Sequence, residues 1–395
     1  MKDKLSPHKF VPPVGGGMEK IMSKRIETGN TACAMAVLAC NIDYMAAYPI
    51  TPQTTLSEKI ASWAATGEFK GEYVLVESEH SAMSAVSSAS ASGARTFTAT
   101  SSQGLLHMHE ILHYASGGRL PVVMANINRA VLAPWCLYAD HQDSISQRDT
   151  GWLQLFCSCH QEIYDTVFLA YKVAEEMDIP VMISYDGFLL SHSQLPFETV
   201  DDKIIREFLP DRKPAWRLHP ENVTNFSNVA MAVEYSAYRH KLADDTIASL
   251  QVFRDSIKEY ESLTGRKQPG LIEASGAENA NVFILSMGSM ASEMELVASE
   301  LTKQGTNASA LKLRLYRPFP ADELIDILPD GSTLVVLDRN IAYGHPGGVL
   351  FMEARSALYG CGKNIKVVGG SVGLGGVDLT VSLLLNEVNR LLEVK

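Results

Sequence analysis

Short apolar runs and helix-patterned stretches alternate through this chain in two separate blocks, and that alternation limits the fold more than any other feature. In the first block the runs Tyr44–Ala47, Tyr73–Val76, Thr96–Thr100, Pro121–Ile127 and Ile179–Tyr185 read as strands. Between and around them, Thr31–Cys40, Thr54–Ala65, Glu79–Gly93, Gln103–Ala115 and Gln161–Glu176 read as helices. Strands this short and this apolar, each followed by a helix, imply a parallel sheet covered on both faces. The rhythm fades over residues 190–270, where Val229–Thr264 reads as one long polar amphipathic helix. It resumes at Asn281, with strands Val282–Ser286, Ala308–Leu315, Thr333–Leu337 and Ile365–Val368. The helices of this block are Ala291–Lys303, Ala321–Leu328, Gly347–Leu358 and Leu379–Leu392. We therefore expect an α/β domain with its connector over residues 29–270 and a second, compact α/β domain over 271–395. Residues 1–28, polar with Pro12-Pro13 and Gly15-Gly16-Gly17, read as an arm.

Composition removes several function classes. The 395 residues carry a net charge of −11 and no basic cluster, which argues against nucleic acid and anionic membranes as partners. No apolar run is long enough for a membrane span, and Met1–Asn30 lacks the apolar centre of a signal peptide. The six cysteines form no C-x-x-C and no zinc or iron–sulfur spacing. They read as reduced cysteines of a cytoplasmic protein. Any iron–sulfur cluster is expected on another chain.

In open parallel sheets, ligands bind where strands end and helices begin. Several polar groups fall at such points. Tyr48-Pro49-Ile50-Thr51-Pro52 follows the first strand, and its two prolines pin Thr51 in extended backbone. Glu77-Ser78-Glu79-His80 opens a helix built almost wholly of Ser and Ala. Its carboxylates suit acid–base work, or the helix dipole alone. Thr100-Ser101-Ser102-Gln103-Gly104 offers hydroxyls, an amide and a flexible glycine. Arg129 follows the next strand, where an arginine can grip a carboxylate bidentately or form a surface ion pair. Asp140-His141-Gln142-Asp143 and Gln147-Arg148-Asp149 could line a site or build a polar network. His107 and His109 lie two apart on a helix and face different ways, which argues against a shared metal. Gly369-Gly370-Ser371-Val372-Gly373-Leu374-Gly375-Gly376 could cradle a phosphate or make tight turns. Its spacing matches neither the Rossmann nor the P-loop pattern.

Taken together, these motifs resemble those of the alpha subunits of 2-oxoacid:ferredoxin oxidoreductases. The resemblance rests on Gly29-Asn30, Tyr48–Pro52, Glu77–Ala82, Thr100–Gly104, Asp140–Asp143, Asp149-Thr150-Gly151-Trp152 and Asp186-Gly187-Phe188. In the second block it rests on Arg317-Pro318-Phe319-Pro320 and Gly373–Gly376. It runs from about residue 27 to the C-terminus, and the wording around Asp140–Trp152 is most similar to the pyruvate branch. The resemblance implies a pyrimidine-binding thiamine-diphosphate sheet followed by a transketolase C-terminal-like α/β domain. It implies coenzyme A and a 2-oxo acid as substrates and ferredoxin as electron acceptor.

By the same resemblance, Glu79 is the glutamate that hydrogen-bonds the pyrimidine ring nitrogen, with Ser102 and Gln103 beside the cofactor. Thr51 and Arg129 hold the substrate's 2-oxo and carboxylate groups. The cofactor's diphosphate and magnesium would sit on a beta subunit, since this chain lacks a Gly-Asp-Gly motif with its downstream asparagine. Gamma- and delta-type subunits complete such complexes. Pyruvate is the expected substrate. The bulky Pro134-Trp135-Cys136-Leu137-Tyr138 after Arg129 would also suit a branched 2-oxo acid, or an aromatic one such as phenylglyoxylate with NAD as final acceptor. A non-catalytic scaffold subunit is the reading from another class.

Overall fold

The computed structural model describes residues 22–221 and 228–394. The expected arm lies outside the described residues as far as residue 21, as does the stretch 222–227. Seven strands make the larger sheet. Across it the order is Leu315–Arg317, Leu153–Phe156, Val181–Asp186, Val123–Asn128, Thr96–Thr100, Tyr44–Ala47, Glu72–Leu75. All neighbours are parallel except the outermost pair, Leu315–Arg317 against Leu153–Phe156. Every residue of Val123–Asn128 and Val181–Asp186 is buried, as strands covered on both faces require.

One face of this sheet packs on Ala32, Cys33, Ala36 and Val37 of helix Gly29–Ala39 and on Phe168 and Tyr171 of helix His160–Met177. The other face packs on Met83, Val86, Leu105, Leu112 and Trp152. Along helix Glu79–Ala91 and at its C-cap, the hydroxyls of Ser84, Ser88 and Ser92 are satisfied by donating to the carbonyls four residues earlier, at 2.8, 2.9 and 3.1 Å. The 33-residue helix Ala232–Thr264 buries Leu242, Phe253, Ile257 and Tyr260 against the first core.

The second sheet has the order Lys366–Ser371, Thr333–Asp338, Val282–Met287, Ala308–Leu313, Ile272–Gly276. Only Ile272–Gly276 runs antiparallel to its neighbour. Separate apolar clusters cover its two faces. A two-stranded antiparallel ribbon, Met22–Thr28 with Gln194–Val200, completes the fold.

Several features depart from the sequence pattern. Residues 22–28 of the expected arm are a strand paired with Gln194–Val200, and Ile272–Gly276 is a strand ahead of the expected second block. Leu153–Phe156 is a central strand that its four-residue pattern, broken by Gln154, does not announce. Leu315–Arg317, from the second block, adds an edge to the first sheet. The stretch Gln103–Ala115 is two helices, Ser102–His107 and His109–Gly117, broken at Met108.

The two sheets are joined through a buried charge cluster. Asp186, at the end of its strand, lies 3.0 Å from His141 Nε2 and 3.3 Å from Arg339 Nη1. It also accepts the Ser289 backbone N–H at 2.7 Å. Burial alone would raise the Asp186 carboxyl, but Arg339 and His141 hold it well below the usual carboxylate range. Removing one partner of such a cluster strands the others. Asp186→Ala is expected to cost about 3–5 kcal/mol in urea-monitored unfolding, and Asp186→Asn less. A loss below about 1 kcal/mol would show that the junction does not depend on this pair.

Candidate active site

Because the strands from Val181–Asp186 to Glu72–Leu75 are parallel, their C-terminal ends share one edge, and the polar segments picked out from the sequence follow those ends. Glu79 is the first residue of helix Glu79–Ala91, and Ser78 caps the helix by accepting from Ser81 N–H at 3.1 Å. That places a carboxylate at the positive end of a helix dipole. The Glu79 side chain is buried. Among the described residues its one hydrogen-bond partner is His107, with Nδ1 3.4 Å from Oε2.

The short helix Ser102–His107 shapes the carboxylate's surroundings. Gly104 sits so close that a Cβ there would fall 2.6 Å from Glu79 Oε1 and 2.5 Å from Thr100 Oγ1. Gly104 and His107 are three residues apart and so share a helix face. One short helix therefore bounds both carboxylate oxygens.

Arg129 is buried, and burial lowers its guanidinium from the usual range. Nη1 donates to the Thr51 carbonyl at 2.9 Å and Nε to the Cys136 carbonyl at 3.2 Å. The guanidinium carbon lies 5.7 Å from the Trp135 ring centre, and Nη2 makes no hydrogen bond among the described residues. The structure thus brings Thr51 and Arg129 into contact. Thr51 uses its carbonyl there, and its side chain faces outward.

Ser102 holds a left-handed backbone conformation, φ 48°, which is uncommon for a side chain other than glycine. Its hydroxyl lies 2.7 Å from the Ala130 carbonyl and also reaches the Gln103 side-chain oxygen. Its N–H donates to Asp143 Oδ2 at 3.0 Å, and the Arg129 N–H donates to the same oxygen at 3.1 Å. Asn128 Nδ2 and the Ser144 N–H donate to Oδ1, each at 2.8 Å. Burial pushes the Asp143 carboxyl up to about 6, against the pull of these donors.

The Asp140–Asp143 stretch is therefore a polar network that positions its neighbours. His141 belongs to the junction with the second sheet. Arg339, which the sequence pattern left unmarked, also belongs there. No local sequence signal marks the approach of Gly104 and His107 to Glu79, because both contacts are tertiary. Gly369 and Gly370 lie within strand Lys366–Ser371, and Gly373, Gly375 and Gly376 make a turn with positive φ.

Residues 35–257 match the family described as pyruvate flavodoxin/ferredoxin oxidoreductase, thiamine diphosphate-binding. Residues 280–384 match pyruvate:ferredoxin oxidoreductase core domain II. The chain belongs to the 2-oxoacid:ferredoxin oxidoreductase family, as an alpha subunit. It is 44% identical over 365 residues to ketoisovalerate oxidoreductase subunit VorA of Pyrococcus horikoshii, covering 92% of each chain. It is 42% identical over 377 residues to pyruvate synthase subunit PorA of Methanocaldococcus jannaschii, covering 94% of this chain and 96% of that one. A 2-oxoglutarate:ferredoxin oxidoreductase from Magnetococcus marinus shares the fold at TM-score 0.73 and 18% identity; the match covers 94% of this chain and 65% of that longer one. An inactive split-gene transketolase tetramer shares it at TM-score 0.55 and 14% identity, covering 93% and 98%.

The family's cofactor is thiamine diphosphate, and the donor set here suits its pyrimidine. A carboxyl group can share a hydrogen bond with a ring nitrogen, and Glu79 offers a buried one, with Gly104 leaving no side chain against Oε1. Gly104→Ala is expected to shift Glu79 and cut turnover of the assembled enzyme roughly 100-fold while its circular dichroism stays unchanged. Turnover within a few-fold of the parent would separate Gly104 from the site.

Proposed function

We propose that this subunit supplies half of an active site that oxidatively decarboxylates a 2-oxo acid with coenzyme A, giving an acyl-CoA and carbon dioxide. The observation that carries this reading is a buried Glu79 carboxylate on the same sheet edge as the Arg129–Thr51 contact. Thiamine diphosphate supplies the electron sink for the decarboxylation. Glu79 hydrogen-bonds the pyrimidine ring nitrogen and holds the proton shared between them. Arg129, fixed through Nε and Nη1, offers Nη2 to the substrate carboxylate. Thr51, tied to Arg129 through its carbonyl, stands beside the 2-oxo group. Ser102 and Gln103 border the cofactor.

A beta subunit carries the diphosphate, the magnesium and cluster iron, and gamma- and delta-type subunits complete a cytoplasmic complex that delivers electrons to ferredoxin. Residues 29–270 form the pyrimidine-side domain and 271–395 the transketolase C-terminal-like one. Pyruvate is the first-choice substrate, supported by the PorA relatives. A branched-chain 2-oxo acid is the second reading, favoured by the VorA relatives and by the exposed apolar side chains Leu132, Trp135 and Leu137 next to Arg129.

Two measurements on the assembled complex test this. Glu79→Gln is expected to lower turnover about 10²–10⁴-fold; unchanged turnover would return the chain to a scaffold role. With coenzyme A and a viologen acceptor, kcat/KM is expected to rank pyruvate above 3-methyl-2-oxobutanoate and both above phenylglyoxylate. A reversal of the first two would establish the branched-chain reading, and phenylglyoxylate in first place would overturn both.

A further inference from the structure

The second domain reaches into the site through one turn. Gly375 and Gly376 have φ of +58° and +76°, and each touches the loop that follows Arg129. The Cys136 Sγ–H donates to the Gly375 carbonyl at 3.3 Å, and the Gly375 N–H donates to Asp140 Oδ2 at 3.3 Å. A Cβ on Gly376 would lie 2.3 Å from the Tyr138 Cβ and 3.5 Å from the Ala139 nitrogen. Arg339 fastens the same corner, donating to the Gly373 carbonyl at 3.2 Å and to the Ala139 carbonyl at 3.4 Å.

The loop itself is closed at its neck, where Ala130 N–H donates to the Tyr138 carbonyl at 2.9 Å. A closed loop gripped at Cys136, Tyr138 and Ala139 has little freedom to slide. Cys136 joins both sides. Its thiol faces the glycine turn, and its carbonyl receives Arg129 Nε at 3.2 Å. A continuous chain of contacts thus runs from Gly375 through Cys136 and Arg129 to Thr51.

We propose that the Gly373–Gly376 turn and Cys136 are positioning elements for the substrate carboxylate: the second domain sets where the Arg129 guanidinium stands. The glycine-rich turn then serves contact with the loop and holds no phosphate. Gly376 is required by two independent constraints, the positive φ and the missing space for a Cβ. Cys136 acts by a weak, neutral hydrogen bond, consistent with a thiol serving as a spacer. The proposal rests on the reading of Arg129 as the carboxylate-binding residue.

The test is steady-state kinetics of the assembled enzyme carrying Cys136→Ala, Cys136→Ser, Gly376→Ala or Arg129→Lys. Cys136→Ala and Gly376→Ala are expected to lower kcat/KM for the 2-oxo acid roughly ten-fold, with kcat/KM for coenzyme A within about two-fold of the parent. Cys136→Ser, whose hydroxyl can still donate to the Gly375 carbonyl, is expected to recover most of the loss. A purely structural role would reduce both specificity constants together, in proportion to the active enzyme lost, and would overturn the proposal. So would an unchanged constant for the 2-oxo acid in both Cys136→Ala and Gly376→Ala while Arg129→Lys lowers it. An unchanged constant in Arg129→Lys would instead overturn the reading of Arg129, and the proposal with it. Should Gly376→Ala fail to assemble, the two Cys136 variants decide the matter alone.

Discussion

Asp143 is a carboxylate removed from water and surrounded by four donors, and the site edge depends on it. Its oxygens take N–H groups from Ser102 and Arg129, which follow two adjacent strands, and from Asn128 and Ser144. A buried acceptor of this kind is stabilised only while every donor stays in place, so the two loop starts are locked to one another. The lock fixes Ser102 in its left-handed conformation, which in turn sets the course of the short helix bearing Gly104 and His107. It also fixes the backbone at Arg129. The walls that Gly104 and His107 set around Glu79, and the backbone from which the Arg129 side chain starts, both depend on this one side chain.

The parallel sheet makes such a lock possible. Five strands running the same way deliver Thr51, Glu79, Ser102, Arg129 and Asp186 to one edge, although these residues span more than a hundred positions of sequence. Asp186 turns away from the others and, with His141 and Arg339, holds the second sheet against the first. The second domain is therefore part of the site's frame. Its glycine turn touches the Arg129 loop, and its strand Leu315–Arg317 extends the first sheet.

Much of this was legible in the residues themselves. The runs Thr96–Thr100 and Ile179–Tyr185 are rich in β-branched and aromatic residues and bounded by turn chemistry, so their strands could be read directly. The polar groups that follow them could then be assigned to one edge. Leu153–Phe156 escaped notice because four residues including Gln154 carry too little periodicity. Leu315–Arg317 is a separate strand where the pattern gives one run over Ala308–Leu315, and its pairing with a strand some 160 residues earlier leaves no local trace. The break at Met108 has no proline or glycine to announce it. The same limit applied to the site. Glu79 and Arg129 stand out by type and place, whereas the approach of Gly104 to Glu79 and of Gly376 to Tyr138 exists only in three dimensions.

The central claim is that this chain holds the pyrimidine side of a cofactor whose diphosphate lies on another chain. A structure of the assembled enzyme with thiamine diphosphate tests it most directly. The account predicts a Glu79 carboxylate oxygen within about 2.6–3.2 Å of the pyrimidine ring nitrogen, with diphosphate and magnesium bound by a partner subunit. A cofactor held entirely by this chain, or a pyrimidine ring remote from Glu79, would contradict it.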